Sequence, residues 1–374
     1  MFLRGKTNCV IAGFFFTFLI CFTLAPIPLF ESTGGGTKLA QAQTPQPIKL
    51  KLGTFVGVKG LHADVINFFT SEVKKRTNGG VEIETVWSEG LAKVMELPDA
   101  VRLGTADMAY LLPAYKIETY PFLSTTMVVH FSVEVPVTKD INLKALKVYR
   151  QLAEQFPEVK DELKKQNQVL LGTFTYEPET VLSRKQISSL SQMKGWKVRT
   201  WGFMTPKIIS AIGAVPVSIP AVETYDAMSK GVADGTIATL ETTHRYKYTE
   251  VAKYWCENLT RVIPAWPFVY GMTANLDVWN KLSKNFQDIM LKVGEEASGR
   301  HGEWIAESAP AYLKELTGQR GMVLYKVPDA EIEALRTKMT ATATEDYAQR
   351  VQKLGYPRIR DVIQKHIEAW KAIR

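Results

Sequence analysis

Residues 194–235 read KGWKVRTWGFMTPKIISAIGAVPVSIPAVETYDAMSKGVADG. Lys194-Gly195 marks a turn, and 196–200 alternates polar and apolar side chains as a short strand. A helical pattern follows over 205–212 and stops at Gly213. A second strand is expected over 215–219, a second helix over 222–230, and a third strand within 231–240. Strand, helix, strand, helix, strand is the order of a parallel α/β sheet. Ligands of such sheets lie beyond the carboxyl ends of the strands. Arg199 stands at such an end, and its planar guanidinium matches a carboxylate in two parallel hydrogen bonds. A lone arginine at a strand end is more often a solvated surface charge or half of a structural ion pair.

Working outward, 48–55 and 81–87 alternate as strands around a helix whose Val65, Ile66, Phe69 and Val73 share one face, with Asp64 as its expected N-cap. A short helix over 97–103 and an apolar strand over 108–112 complete a second βαβαβ pattern. Helices are expected over 143–156 and on to Lys165, a strand over 168–174, a polar loop over 176–186 and a helix over 247–255. Extended stretches surround Pro264 and Pro267, and 268–274 is expected to return to the first sheet. From 284 to 316 the pattern is helical with few breaks, long enough to run along two domains. A strand over 321–327 and helices over 329–353 and 358–374 follow, the last with Ile359, Val362, Ile363, Ile367, Trp370 and Ile373 on one stripe. These patterns divide the chain into two α/β lobes with a ligand cleft between them and a long helix spanning both. The expected division is 1–42 leader, 43–170 first part of lobe I, 171–267 main part of lobe II, 268–306 return to lobe I with the bridging helix, and 307–374 the end of that helix and the C-terminal helices.

The 374-residue composition is ordinary for a globular protein, and the length fits about two domains. Residues 1–42 read as a secretory signal peptide: Arg4 and Lys6, an apolar run over 10–24, then Ala40-Gln41-Ala42, with the mature chain starting near Gln43. An uncleaved membrane anchor is the alternative. Such a leader implies export from the cytoplasm. Cys256 is then the single mature cysteine, which leaves no internal disulfide and reads as a buried structural thiol. The formal charge of +8 becomes +6 without Arg4, Lys6, Lys38 and Glu31. Basic residues are scattered, which argues against a nucleic-acid partner and is compatible with anionic ligands.

No catalytic signature is present. G-x-S-x-G is absent, and the five histidines show no metal-ligand spacing. Nothing calls for a cofactor or a metal. Glu241 and His244 form the one nameable acid–base pair for a secreted hydrolase or lyase using the same cleft.

R-T-N-G-G-V-E-I-E at 76–84, D-A-V-R-L-G-T-A-D-M-A at 99–109, M-K-G-W-K-V-R at 193–199, G-A-V-P-V at 213–217, E-T-Y-D-A-M-S-K-G-V-A-D-G at 223–235 and Y-T-E-V-A-K-Y at 248–254, in this order, resemble the solute-binding proteins of tripartite ATP-independent periplasmic (TRAP) transporters. The resemblance implies a periplasmic binding protein fold whose two lobes close on an organic acid and deliver it to a membrane permease. It places the carboxylate on Arg199. The chain departs from the sugar-acid binders of that family. A second ligand arginine has no match over 176–184, and Phe55, Leu112, Ala221 and Ala238 stand at positions that are polar or aromatic elsewhere. With Trp201 and Phe203 after the arginine, this implies one anion anchor among apolar walls, and a monocarboxylate or 2-oxo acid with an apolar or aromatic tail. Glu241 is expected at the cleft. Tyr110 and Tyr225 either pack in the core or offer a hydroxyl. Dicarboxylate or sugar-acid binding, and a receptor serving a membrane sensor or an ATP-driven permease, are the alternatives.

Overall fold

The computed structural model describes residues 46–134, 137–263 and 270–373. The expected leader, the prolines at 264 and 267 and the lobe boundary at 267 lie outside the described residues. The chain opens as β1 (Ile48–Thr54), α1 (Leu61–Arg76), β2 (Val81–Val86), α2 (Leu97–Arg102) and β3 (Met108–Leu111). β1 pairs with β2 and with β3 in parallel, as the alternation predicts. α1 buries Val65, Ile66, Phe69 and Val73 and ends on Lys74, Lys75 and Arg76, where cations suit the helix dipole. α3 (Thr126–Val129), α4 (Ile141–Gln155) and α5 (Pro157–Lys165) lead to β4 (Gln168–Phe174).

The chain then crosses to β5 (Thr180–Ser183), β6 (Lys197–Thr200), α6 (Met204–Ile212), β7 (Val215–Ser218), α7 (Thr224–Ser229), β8 (Gly235–Ala238), α8 (Leu240–Arg245) and β9 (Tyr254–Cys256). It continues through β10 (Tyr270–Asn275), α9 (Leu276–Lys281), α10 (Lys284–Gly318), β11 (Val323–Tyr325), α11 (Asp329–Lys353) and α12 (Ile359–Ala372). The first sheet has the order β2-β1-β3-β10-β4 and the second β11-β9-β5-β8-β6-β7. β6 lies in parallel between β7 and β8, while β10 and β5 enter their sheets antiparallel. β10 therefore returns the chain to the first sheet.

This is a two-lobe α/β fold, and α10 spans both lobes. It packs on α1 and β4 of the first and on α8 of the second. α11 packs on α6 and α3, and α12 on α4 and α3. The lobes share a continuous apolar core that includes Val198, Ile208, Met127, Tyr347 and Trp370.

Four expectations are corrected. The polar loop at 176–186 contains β5, whose Thr180, Val181, Leu182 and Ser183 are all buried between β8 and β9. The helix at 247–255 is a single 3-10 turn, Tyr248–Glu250, followed by β9, because the aromatic pair Tyr254-Trp255 joins β5 and β11. Gly60 rather than Asp64 caps α1, and Asp64 lies in its first turn. The boundary expected at 170 falls inside β4, which stays in the first sheet to Phe174.

Candidate functional site

β6 ends at the cleft. There Arg199 is held from behind by its neighbours in the sheet. Its Nε donates to the carbonyl of Ile219 at 2.9 Å and its Nη1 to that of Ile237 at 3.2 Å. These carbonyls follow β7 and lie in β8, the strands that flank β6. Only 9 % of Arg199 is exposed, and among the described residues it pairs with no carboxylate. Arg199 lines the cavity there.

That cavity encloses about 730 Å³. On the first-lobe side Phe55 stacks on Tyr270, with centroids 5.9 Å apart. On the second, Trp201 meets Tyr115 at 6.0 Å and Tyr176 at 5.9 Å. His62, in the first turn of α1, shares a 2.7 Å hydrogen bond with the Tyr110 hydroxyl through Nδ1. Burial, His301 and Arg245 together hold His62 well below the usual imidazole range, so it lines the cavity as a neutral ring.

Two carboxylates line the cavity in different states. Glu241 on α8 forms an i,i+4 ion pair with Arg245, and burial raises its carboxyl against that pull. Glu179, one residue before β5, is 1 % exposed. Both its oxygens accept the indole N–H of Trp201, each at 2.9 Å. Burial pushes Glu179 up to about 8, more than Arg199 and the Trp201 bond pull it down. Behind it, Glu177 accepts the amide of Glu241 at 2.9 Å and is raised to about 7, first by burial.

The structure brings Arg199, Trp201, Phe203, Phe55, Ala221 and Glu241 to this cavity. Ala238 is buried in β8, and Tyr110 lies beneath the floor at His62. Tyr225 sits outside, its hydroxyl donating to Glu250 at 2.9 Å. His244 also turns away from Glu241, and its Nε2 lies 3.0 Å from both oxygens of Glu315. Glu179, Arg245, His62 and the tyrosines at 115, 176, 246, 248 and 270 were not singled out from sequence. Two signals pointed to them. The acidic pair in Y-E-P-E at 176–179 sits just before a strand, and Arg245 follows Glu241 at helical spacing.

A family model described as bacterial extracellular solute-binding protein, family 7, matches residues 56–350. The chain belongs to that family. This family 7 protein is 23% identical over 323 residues to a solute-binding protein of Roseobacter denitrificans, covering 84% of this chain and 93% of the relative. It is 23% identical over 339 residues to a monocarboxylate 2-oxoacid-binding periplasmic protein of Nostoc sp., covering 86% and 81%. In fold it is similar to a Bordetella pertussis extracytoplasmic solute receptor that binds pyroglutamic acid, with a TM-score of 0.71 at 23% identity, covering 87% and 99%. Among its described residues no helix is long and apolar enough to cross a membrane, and no group of His, Cys, Asp or Glu could hold a metal ion.

Proposed function

We propose that this TRAP-type solute receptor binds an organic monocarboxylate through Arg199 and delivers it to a membrane permease. The observation that carries the reading is the buried guanidinium itself. Two carbonyls fix it, it forms no ion pair with a carboxylate among the described residues, and it lines the cavity. A buried cation of this kind is costly until an anion joins it. A ligand carboxylate is that anion.

The ring-lined walls around Phe55, Tyr115, Tyr176, Trp201 and Tyr270 favour a compact acid with an apolar or aromatic body, 2-oxo acids included. Each Å² of apolar ligand surface removed from water contributes about 25 cal/mol. The Nostoc relative, named for 2-oxo acids, and the pyroglutamate-binding Bordetella receptor support a small monocarboxylate. The hydrolase reading has less support, because His244 is engaged by Glu315 and lies off the cavity.

A thermal-shift screen of organic acids against the receptor and Arg199→Ala tests this. A ligand present at a hundred times its Kd stabilises the folded state by about 2.7 kcal/mol. Monocarboxylates should shift the wild type and leave the variant unmoved. Equal shifts in both would remove Arg199 as the anchor. A larger shift with sugar acids or dicarboxylates would overturn the apolar-bodied ligand, and turnover of an acid during incubation would revive the enzyme reading.

A further inference from the structure

We propose that Glu179 sets the ligand class: the acid held on Arg199 carries a nitrogen-borne hydrogen-bond donor beside its carboxylate, an α-ammonium or an amide N–H, and that donor binds Glu179. The proposal rests on Arg199 being the carboxylate anchor.

Arg199 and Glu179 are both buried, at 9 % and 1 % exposure, and both line the same cavity. Opposite charges buried side by side normally neutralise each other. Here, among the described residues, the two form no ion pair, although the charge of Arg199 acts on Glu179. Arg199 gives its protein hydrogen bonds to the carbonyls of Ile219 and Ile237. Among the described residues Glu179 has one donor, the Trp201 indole N–H, divided between both oxygens. A carboxylate has about four acceptor positions, so a single shared N–H leaves most of them empty. The cavity's other carboxylate, Glu241, is already matched by Arg245. Glu179 is therefore the lining carboxyl group with acceptor positions to spare, kept protonated by burial until donors join it, and the cavity still holds a cation that needs an anion.

A ligand complementary to both groups is dipolar. Its carboxylate meets Arg199 and its N–H meets Glu179, while its body lies against the rings. A 2-oxo acid or a plain carboxylic acid satisfies Arg199 but turns a lone pair or a C–H toward Glu179. Glu179 is then left unpaired or must stay protonated, which burial already favours. Hydrogen bonds to charged groups contribute enough for a preference of roughly tenfold to a hundredfold for the N–H acid.

Isothermal titration with two matched pairs tests this. L-pyroglutamate is compared with its lactone analogue 5-oxotetrahydrofuran-2-carboxylate, and L-valine with 3-methyl-2-oxobutanoate. The first pair probes an amide N–H and the second an ammonium. The expected result is tenfold or tighter binding of the N–H member of at least one pair. In Glu179→Gln, whose thermal unfolding serves as the folding control, that preference should shrink to within about threefold while the donor-less acid still binds. Equal affinity within both pairs in the wild type would overturn the role of Glu179 yet leave Arg199 as the anchor. This comparison needs no variant. A preference that survives in a folded Glu179→Gln would do the same. Failure of all four acids to bind, or equal binding by Arg199→Ala, would overturn the anchor and the proposal with it.

Discussion

Gly60 backs directly onto the guanidinium of Arg245: a Cβ on Gly60 would lie 1.9 Å from Nη2. Gly60 follows β1 of the first sheet, and Arg245 ends α8 beyond the second. The contact brings the first-lobe loop against the second-lobe helix at the cleft. Gly60 also has φ 103° and ψ 173°, a conformation essentially confined to glycine. Gly60→Ala should therefore cost about 1–3 kcal/mol from the backbone alone, with a further loss from displacing Arg245. In urea denaturation, adding Arg245→Ala should recover the second part and not the first. An unchanged midpoint for Gly60→Ala would show that the loop relaxes freely.

Arg199→Lys is expected to fail almost as fully as Arg199→Ala. An ammonium is a single point charge, and it cannot satisfy the Ile219 and Ile237 carbonyls while presenting a two-pronged donor to a carboxylate. Truncating one partner of a buried charge pair costs roughly 2–5 kcal/mol, so affinity for a bound acid should fall about thirtyfold or more. Calorimetric titration reads this directly, and wild-type affinity in the lysine variant would mean that charge alone holds the ligand.

Gly294 lets α10 lie against β4. A Cβ there would stand 2.1 Å from the Leu171 carbonyl oxygen, and neither backbone can move without disturbing the sheet. Gly294→Ala should destabilise by about 1–3 kcal/mol through overpacking. Gly299→Ala, one turn on, would meet Leu143 Cδ1 at 3.4 Å, an ordinary contact, and should gain up to about 1 kcal/mol of helix propensity. Opposite signs for the two variants in chemical denaturation are the expected outcome. A neutral Gly294→Ala would refute the close approach.

Stability should fall on both sides of an optimum near about pH 6.5, where the acid-side and alkaline-side losses balance. Burial holds His130 at about 4 and His301 and His366 at about 3. In His366, Nε2 accepts the Trp370 indole N–H at 3.0 Å, so a proton there breaks a buried bond. The unfolded histidines bind protons near pH 6.5, so their contribution is lost as pH falls from there toward 3. Glu162 has the opposite sense. Burial raises it to about 8, although the amides of Phe122 and Leu123 donate to it. Its folded form keeps a proton that the unfolded chain releases near 4.5, so its contribution is lost as pH rises toward 8. Each group supplies up to about 1.4 kcal/mol per pH unit within its window. Denaturation midpoints from pH 3.5 to 8.5 should show both slopes, with Glu162→Gln reducing the alkaline one, to which Glu177 and Glu179 also contribute. A midpoint independent of pH would contradict the burial of these groups.

Much of the site was legible because β6 announces itself. Arg199 follows a short alternating strand and precedes Trp201-Gly202, and a parallel sheet places that position at the ligand edge whatever packs around it. Phe55 and Glu241 follow strands in the same way. Glu179 and Tyr176 were hidden in a segment with the composition of a loop. Arg245 carried no mark beyond its spacing from Glu241.

The sequence by itself determined the two βαβαβ units, the long helix α10 and the arginine at the strand end, since these depend on periodicity and on residues near in the chain. It could not determine that Thr180–Ser183 and Tyr254–Cys256 are strands, because their partners lie in β8 and β11, far along the chain. The charge states in the cleft were also left to the tertiary structure. Burial raises both Glu241 and Glu179, but Glu241 has the opposing ion pair with Arg245 one helical turn away, whereas Glu179 has the Trp201 indole and the charge of Arg199. Burial arises when two lobes meet, and no local stretch of sequence encodes it.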